Sequence, residues 1–216
     1  MQYLNIYYIM HDKLLASGNF FAKSYGGPNK VVVDMGGSLR EIFDTLDMTY
    51  ITINDNTTNP VTLTEPVTEL TSSNISIASG EKFPFENGTI DLIISSAFEN
   101  DPFFWVTFRE MTRILKPDGF IYLMSYSPLG QNNKNYYYLG QSLSYWSSYQ
   151  MSNELIFPVK LIERFYILPK YDSYVDFICV WQRVNETQTE INSSFKTNGP
   201  LEQKLNSNGY KTVINY

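Results

Sequence analysis

The chain has 216 residues, of which 43% are hydrophobic and 18% charged, which is enough apolar material for one buried core with a short appendage. Its formal net charge is −6 without any block of Lys or Arg, so its surface would on average repel phosphate, which argues against nucleic acid as a partner. A single cysteine excludes an internal disulfide. With only one histidine and one cysteine, the chain has too few of the usual zinc ligands for a zinc site to be expected.

The two potentially reactive side chains have ordinary interpretations. Cys179 lies in the apolar run VDFICVWQ, which predicts a small buried hydrophobe. His11 lies far in sequence from the glycine turn at Gly36-Gly37 and is interpreted as structural or surface. No apolar run reaches the ~18 residues of a membrane span, and the N-terminal MQYLNIYYIM lacks the basic leader of a signal peptide. We therefore expect a soluble, cytoplasmic protein without a membrane partner.

The first part of the chain predicts a helical segment followed by a βαβ unit. Residues 1–29 carry apolar side chains at roughly helical spacing until Gly26-Gly27-Pro28 interrupts the pattern. KVVVDM (30–35) is a short β-branched run, typical of a strand buried on both faces of a parallel sheet. LREIFDTLD follows with one apolar face, and TYITIN (49–54) indicates a second strand. The crossover between these strands should be right-handed.

The same alternation continues through the middle of the chain. ISIAS (75–79) and IDLIISSAF (90–98) indicate two further strands, with an Asn87-Gly88 turn between them. DPFFWVTFREMTRILKPDG predicts an amphipathic helix that stops at Pro117 and Gly119, and FIYLMSY (120–126) predicts the next strand. Strands that alternate with helices indicate an α/β fold, Rossmann-like and doubly wound around a mostly parallel sheet.

The C-terminal part predicts a strand pair and then a polar segment. PVKLIERFYILP and SYVDFICVWQRV, within residues 157–184, are separated by only KYD. Such a pair must be antiparallel, because a parallel return needs a dozen or more residues. Beyond Val184 the chain is polar and without a period. We therefore divide it into an N-terminal helical segment (1–29), a Rossmann domain (30–184) and a polar tail or linker (185–216).

A ligand site is expected on the loops at the carboxyl ends of the strands, as in other open parallel sheets. Asp34 is followed by Gly36 and Gly37, which let the backbone approach a ligand closely beside a helix N-terminus. The G-x-G-x-x-G pattern is incomplete and no G-K-[ST] follows. Nicotinamide, flavin and P-loop nucleotides are therefore disfavoured as ligands.

Four segments, DMGG, TYITIND, SGEKFPFENGTIDLIISS and FFWVTFREMTRILKPDGFIYL, occur in the order and approximate spacing of class I S-adenosylmethionine-dependent methyltransferases. The chain resembles this family over about residues 14–183, and more narrowly a bacterial-type subgroup often found near glycan-building enzymes. GEKFPFENGTIDLIIS is similar to the family's loop before strand four, and REMTRILKPDGF to its R-V-L-K-P-G-G turn before strand five. The resemblance implies a seven-stranded sheet with an antiparallel C-terminal strand pair, and S-adenosylmethionine as cofactor.

Carried over to this chain, the resemblance implies a cofactor site at the ends of strands one to four. Asp34, Gly36 and Gly37 match the loop that lies against the methionine end of the cofactor. Asn54, or Asp55 one residue later, matches the carboxylate that binds both ribose hydroxyls. The other matching positions are Ser79 and Glu81 for adenine recognition, and Ser95, Ser96 and Phe98 for the methyl-transfer chamber.

Two acidic residues on the loop after strand four, Glu99 and Asp101, are the candidates for the base that accepts the acceptor's hydroxyl proton. Asp101 can instead be the N-cap of the next helix, with Pro102 at its first position. The subgroup implies a sugar or another small hydroxyl compound as the acceptor.

The polar positions of the family's ligand site differ more in this chain than the apolar ones. The glycine turn runs straight into SLRE, and Asn100 stands where a histidine is usual. Two hypotheses follow. The chain is an S-adenosylmethionine-dependent O-methyltransferase connected with glycan biosynthesis, or it is a catalytically inactive methyltransferase-like domain that acts as a scaffold or interaction module.

Overall fold

A computed structural model describes residues 17–35, 47–55, 73–77, 82–96, 104–128, 158–168, 174–184 and 198–213. The strands in these ranges are β1 (Val31–Met35), β2 (Thr49–Asp55), β3 (Ser73–Ile77), β4 (Ile90–Ser96), β5 (Leu115–Pro128), β6 (Val159–Ile167), β7 (Tyr174–Arg183) and β8 (Thr212–Val213). The helices are α1 (residues 17–25), α2 (Phe104–Ile114) and α3 (Pro200–Ser207). All eight strands join one sheet in the order β3-β2-β1-β4-β5-β7-β6-β8.

The sheet is mixed. β3, β2, β1, β4 and β5 pair parallel with their neighbours, whereas β5–β7, β7–β6 and β6–β8 pair antiparallel. The Rossmann-like α/β fold and the antiparallel pair of β6 and β7 are confirmed. The expectation of a mostly parallel sheet was wrong, because the C-terminal strands add antiparallel pairings. The two-residue strand β8 lies at the edge beyond the seven strands β1–β7.

Side chains alternate between the two faces of the sheet, and each face has its own apolar core. On the first face, α2 buries Phe108, Met111 and Ile114 completely, as its predicted apolar stripe requires. The Phe108 ring meets Trp181 of β7 edge to face at 5.6 Å. On the second face, α1 packs Phe21 against Tyr122 of β5, with ring centroids 5.2 Å apart. Helices on both faces make the fold doubly wound.

α2 ends at Ile114, three residues before the predicted stop at Pro117. Pro117 disfavours helical geometry at the residue before it, so the chain leaves the helix early and enters β5 at Leu115. Asp118 then takes a left-handed backbone with φ of 62°. At Gly119 a Cβ atom would lie 2.9 Å from the carbonyl oxygen of Asp91, so only glycine fits beside β4 there.

A β-bulge in β6 changes which side chains face which core. The register against β7 shifts between Leu161 and Glu163. Val159 and Leu161 pack into the core of the first face, whereas Phe165 and Ile167 pack into the core of the second. The bulge therefore turns the buried carboxylate of Glu163 toward α1 and α3 on the second face.

Part of the segment predicted to be a polar tail is structured. Residues 198–213 form α3 and β8, with Leu201 and Leu205 fully buried against the second face. Burying a leucine side chain stabilises by about 1.5–3 kcal/mol, so these two anchors hold an otherwise polar helix. How the chain divides into domains stays a prediction.

Three further predictions concern the environment of Cys179, the position of His11 and membrane-spanning segments. Cys179 is buried in β7, as predicted. His11 lies outside the described residues. Within the ranges that the structure describes, no helix is long and apolar enough to cross a membrane.

Candidate functional site

The carboxyl ends of the central strands meet at one edge of the sheet. Met35 of β1 is paired with Ile53 of β2 on one side and with Ser95 of β4 on the other. Ser95 is in turn level with Leu123 of β5. Because these strands are parallel and in step, their last residues lie at the same edge. This is where ligands bind in open α/β sheets.

Asp34 is the buried carboxylate nearest this edge on β1. It is 2% exposed, and its Oδ2 accepts a hydrogen bond from the hydroxyl of Tyr50 on β2. A buried carboxylate needs such donors, since burial without them is costly. The sequence identified Asp34 as a site residue but not Tyr50, which it placed only in the second strand. The sequence signal for Tyr50 is a tyrosine within an apolar run. A phenol buried there needs a hydrogen-bond partner, which indicates a polar contact inside the sheet.

The other predicted positions are described to different extents. Asn54 and Asp55 are the last two residues of β2, where their backbones pair with Ser76 and Ile77 of β3. Ser95 is buried near the end of β4, and Ser96 is the last residue of that strand. The structure thus brings positions from three adjacent strands to one edge. The predicted site residues outside the described ranges are Gly36, Gly37, Ser79, Glu81, Phe98, Glu99 and Asp101.

The loop before β4, described from residue 82 to residue 89, is bound to α2 through the ion pair of Glu110 and Arg113. Arg113 and Glu110 lie one turn apart on α2, with Nη2 of the arginine 2.6 Å from Oε2 of the glutamate. The same Oε2 accepts a hydrogen bond of 2.9 Å from the backbone N–H of Phe83. Phe83 and Phe85 are 4% and 2% exposed and belong to the core of the first face. The two segments most specific to the resemblance are therefore in direct contact.

The backbone of this loop is also held at its far end. Gly88 and Thr89 donate hydrogen bonds to the carbonyl oxygens of Arg113 and Ile114, at 3.1 and 2.8 Å. Gly88 lies at the predicted Asn87-Gly88 turn and has a left-handed backbone, with φ of 67°. The loop thus follows the C-terminal half of α2 from Phe83 to Thr89.

A second charged cluster lies at the opposite, amino edge of the sheet. Asp91 of β4 accepts hydrogen bonds from Lys116 at 2.8 Å, from Lys30 at 3.0 Å and from the backbone N–H of Val31 at 2.9 Å. Burial favours the neutral acid, but these donors outweigh it and hold the pKa of Asp91 below its ordinary value. The cluster joins β1, β4 and β5 and is structural. Among the residues described, no group of three acidic, His or Cys side chains could hold a metal ion.

Comparison with known proteins gives the fold. Residues 36–123 match a family model described as a methyltransferase domain. No curated protein sequence matches the chain. The solved structure of a SAM-dependent methyltransferase from Aquifex aeolicus is similar with a TM-score of 0.53 and 12% identity, covering 77% of this chain and 90% of that one. The chain has the fold of the class I methyltransferases.

Two further methyltransferase structures share this fold. A putative sarcosine dimethylglycine methyltransferase from Galdieria sulphuraria has a TM-score of 0.54 and 12% identity, covering 82% of this chain and 86% of that one. A SAM-dependent methyltransferase from Methanosarcina mazei has a TM-score of 0.51 and 14% identity, covering 77% and 98%. The span that matches the methyltransferase domain begins two residues after Asp34 and includes β2, β4 and the Glu110–Arg113 pair.

Proposed function

We propose that the chain binds S-adenosylmethionine at the carboxyl edge of its sheet and methylates the hydroxyl group of a small acceptor, such as a sugar. One observation carries the proposal. The buried carboxylate of Asp34 and the polar end of β2, Asn54 and Asp55, lie on adjacent parallel strands, and the span that matches a methyltransferase domain begins two residues after Asp34 and includes β2. The sugar acceptor is supported by the resemblance to the glycan-associated subgroup.

The residue types at this edge suit the cofactor. Carboxylate and amide oxygens accept hydrogen bonds from ribose hydroxyls, so Asn54 or Asp55 would hold the ribose. Gly36 and Gly37 would admit the methionine end close to the backbone, beside Asp34 as oriented by Tyr50. Four positions would complete the pocket around the adenine and the methyl group: Ser79, Glu81, Ser96 and Phe98.

The cofactor supplies an activated methyl group, so the chain's own contribution is placement and proton removal. Holding the acceptor oxygen in line with the methyl carbon, in a site that excludes water, supplies most of the rate. With the cofactor bound, the acceptor's hydroxyl group would have to give up its proton when its oxygen takes the methyl group. Glu99 or Asp101 would accept that proton.

Calorimetry with S-adenosylhomocysteine, the demethylated product, tests the cofactor part of this proposal. We expect micromolar binding by the wild type, no binding by Gly36→Val, and at least about tenfold weaker binding by Asp34→Asn, because a charged hydrogen-bonding group is lost. Asp118→Asn, at the amino edge, is the matched control and should bind like the wild type. The absence of binding at millimolar ligand would contradict the proposal and favour the inactive scaffold.

A transfer assay then separates an enzyme from a cofactor-binding scaffold. The wild type is incubated with S-adenosylmethionine carrying a labelled methyl group and with a panel of sugars and small alcohols. We expect label in a hydroxyl acceptor, and a loss of transfer in Glu99→Gln or Asp101→Asn with cofactor binding retained. If cofactor binds but no acceptor is labelled, hydroxyl methylation is contradicted.

A further inference from the structure

Residues 198–213, called here the α3–β8 segment, are joined to one another through the buried carboxylate of Glu202. Its Oε2 accepts a hydrogen bond of 2.6 Å from the backbone N–H of Asn198, at the start of the segment. Its Oε1 accepts one of 2.8 Å from the hydroxyl of Thr212 on β8. Asn206 of α3 donates to the oxygen of the same hydroxyl at 2.8 Å. Side-chain hydrogen bonds therefore link α3 and β8 directly.

The attachment of this segment to the rest of the described fold lies mainly on β6. The two-residue strand β8 pairs with the end of β6. The backbone N–H of Leu168, just after β6, donates to the carbonyl oxygen of Lys211 at 2.8 Å. Leu201 and Leu205 of α3 pack into the core of the second face. A segment held by two buried leucines and a short strand pairing opens at a lower free-energy cost than the central strands.

Glu163 supplies the buried polar contact at this attachment. Its side chain is 1% exposed, and its carboxylate accepts hydrogen bonds from the backbone N–H groups of Leu201 and Glu202 at the start of α3. Gly199 lies so close that a Cβ atom there would overlap the Glu163 side chain. When α3 leaves β6, the carboxylate loses both donors and enters water. Protonation of Glu163 is therefore coupled to the docking of the segment.

The groups around Glu163 determine the direction of this coupling. Burial is the largest influence and raises the pKa of Glu163, and the charge of Glu202 from α3 raises it further. Tyr25 from α1 donates to the carboxylate, and burial raises the pKa of this phenol, so it stays a neutral donor. β7 places the apolar Val180 opposite Glu163, and the hydroxyl that β8 contributes, that of Thr212, is bound to Glu202.

We propose that the α3–β8 segment opens and closes as one cooperative unit on β6 and α1, and that Glu163 is the latch whose charge sets how often it opens. Protonated Glu163 favours the closed form, whereas a buried charge favours opening. The closed form is therefore most stable below the ordinary pKa of 4.5 and loses stability as the pH rises through the raised value. Opening exposes the end of β6 and the apolar surface beneath Leu201 and Leu205. This behaviour does not depend on a bound cofactor.

Hydrogen exchange of single backbone amides, followed by NMR in the whole chain at low concentrations of urea, tests the proposal. Amides that exchange through a local opening depend weakly on urea, because little surface is exposed, whereas those that need global unfolding depend on it strongly. The wild type, Glu163→Gln and Glu86→Gln are compared from below pH 4.5 to neutrality, with intrinsic exchange rates divided out. Glu86 is an exposed glutamate before β4, so its variant is the matched control.

Three amides report on the segment. Those of Gln203 and Tyr210 donate within it, and that of Leu168 donates to it from the end of β6. An eight-residue helix is not stable alone in water, so the α3 amides exchange once the segment opens. We expect all three to share one opening constant that depends weakly on urea, whereas the amide of Leu123 in β5 should need global unfolding.

In the wild type, the opening constant should rise with pH above 4.5 and level off above the raised pKa. The rise should reach up to about tenfold for each pH unit, because opening releases one proton in this range. Glu163→Gln should lack the rise, and Glu86→Gln should keep it. Segment amides that exchange like Leu123 would overturn the separate unit, and unequal constants at Gln203 and Leu168 would overturn joint opening. A rise that persists in Glu163→Gln would overturn the latch.

Tyr25→Phe tests the latch if Glu163→Gln does not fold. It removes the hydrogen bond to the carboxylate and keeps the ring that packs against Phe21 and Phe120. We expect the opening constant to rise about tenfold at neutral pH, because a hydrogen bond to a charged group is lost, and to rise less below pH 4.5. An unchanged constant, or an equal rise at both pH values, would overturn the role of the charge.

Discussion

The carboxylate of Glu163, in the middle of β6, accepts a hydrogen bond from the backbone N–H of Leu201, 38 residues further along the chain, at 3.1 Å. Its other oxygen accepts from the N–H of Glu202, also at 3.1 Å. The N-cap of α3 is Gly199, which has no side chain to bind these N–H groups. Glu163 therefore replaces a local cap, and the hydroxyl of Tyr25 on α1 donates to the same carboxylate.

Removing this carboxylate should destabilise the fold. Glu163→Ala leaves two backbone N–H groups and a phenol without their acceptor in a buried place, so we expect a loss of about 3 kcal/mol in the free energy of unfolding. Urea unfolding followed by circular dichroism measures this loss. Glu86→Ala, at an exposed loop position, is the control. A change in Glu163→Ala as small as that in the control would show that the contacts contribute little.

The stability of the fold should also depend on the charge of Glu163. Burial raises the pKa of this carboxyl, whereas the hydrogen bonds from Tyr25, Glu202 and Leu201 lower it. The effect of burial is the larger, so the pKa lies above its ordinary value of 4.5. The folded state then binds the proton more tightly than the unfolded state. The stabilisation is complete below the ordinary pKa and is lost as the pH rises through the raised value.

We therefore expect the wild type to lose stability relative to Glu163→Gln as the pH rises from 4.5 toward neutrality. The glutamine variant does not titrate at this position, so the difference between the two unfolding free energies isolates Glu163. Urea titrations at successive pH values measure it. A difference that is constant over this range, or that favours the wild type increasingly, would contradict the raised pKa.

Gly199 should tolerate no side chain while Glu163 is present. A Cβ atom at Gly199 would overlap the side chain of Glu163, so we expect Gly199→Ala to cost about 1–3 kcal/mol of stability. Glu163→Ala removes the overlapping atoms. In a double-mutant cycle, the cost of Gly199→Ala should therefore fall in the Glu163→Ala background. If the stability costs of the two substitutions were strictly additive, the strain of Gly199→Ala would not come from contact with Glu163.

The cluster around Asp91 predicts the opposite dependence on pH. Its pKa lies below the ordinary 3.8, so its contribution is present above that value and is lost as the pH falls. We expect Asp91→Asn to lower the free energy of unfolding by about 1–3 kcal/mol at neutral pH and by less in acid. Asp118→Asn, at an exposed position, is the control. Equal effects of Asp91→Asn at both pH values would contradict this.

The strands and α2 could be predicted from sequence because each carries its own apolar pattern. Residues 31–34 and 90–95 are buried, so both faces of β1 and β4 are covered there. The apolar stripe of α2 faces the core as its spacing indicates. The bulge before Glu163 could not be predicted, since a one-residue shift in register leaves no local signature. α3 was missed because two leucines in eight residues make no clear period.

The candidate site could be located but not fully described from the sequence. Asp34 lies at the end of β1 as expected, because the end of an apolar run is a local feature. Its partner Tyr50 lies on another strand, and which residues meet across strands depends on register. For the same reason, the contact of Arg113 with Phe83 and Phe85 could not be foreseen from two separate motifs. The roles of the site residues toward the cofactor stay predictions.

Within the described residues, β8 pairs with β6 at Tyr166 and Ile167, and this short pairing covers one end of the β6 edge. An uncovered strand edge offers its N–H and C=O groups to any other chain. A truncated chain without residues 198–213 would present the outer side of β6 together with the apolar surface beneath Leu201 and Leu205. Intermolecular strand addition, and with it aggregation, is the expected fate of that shortened chain.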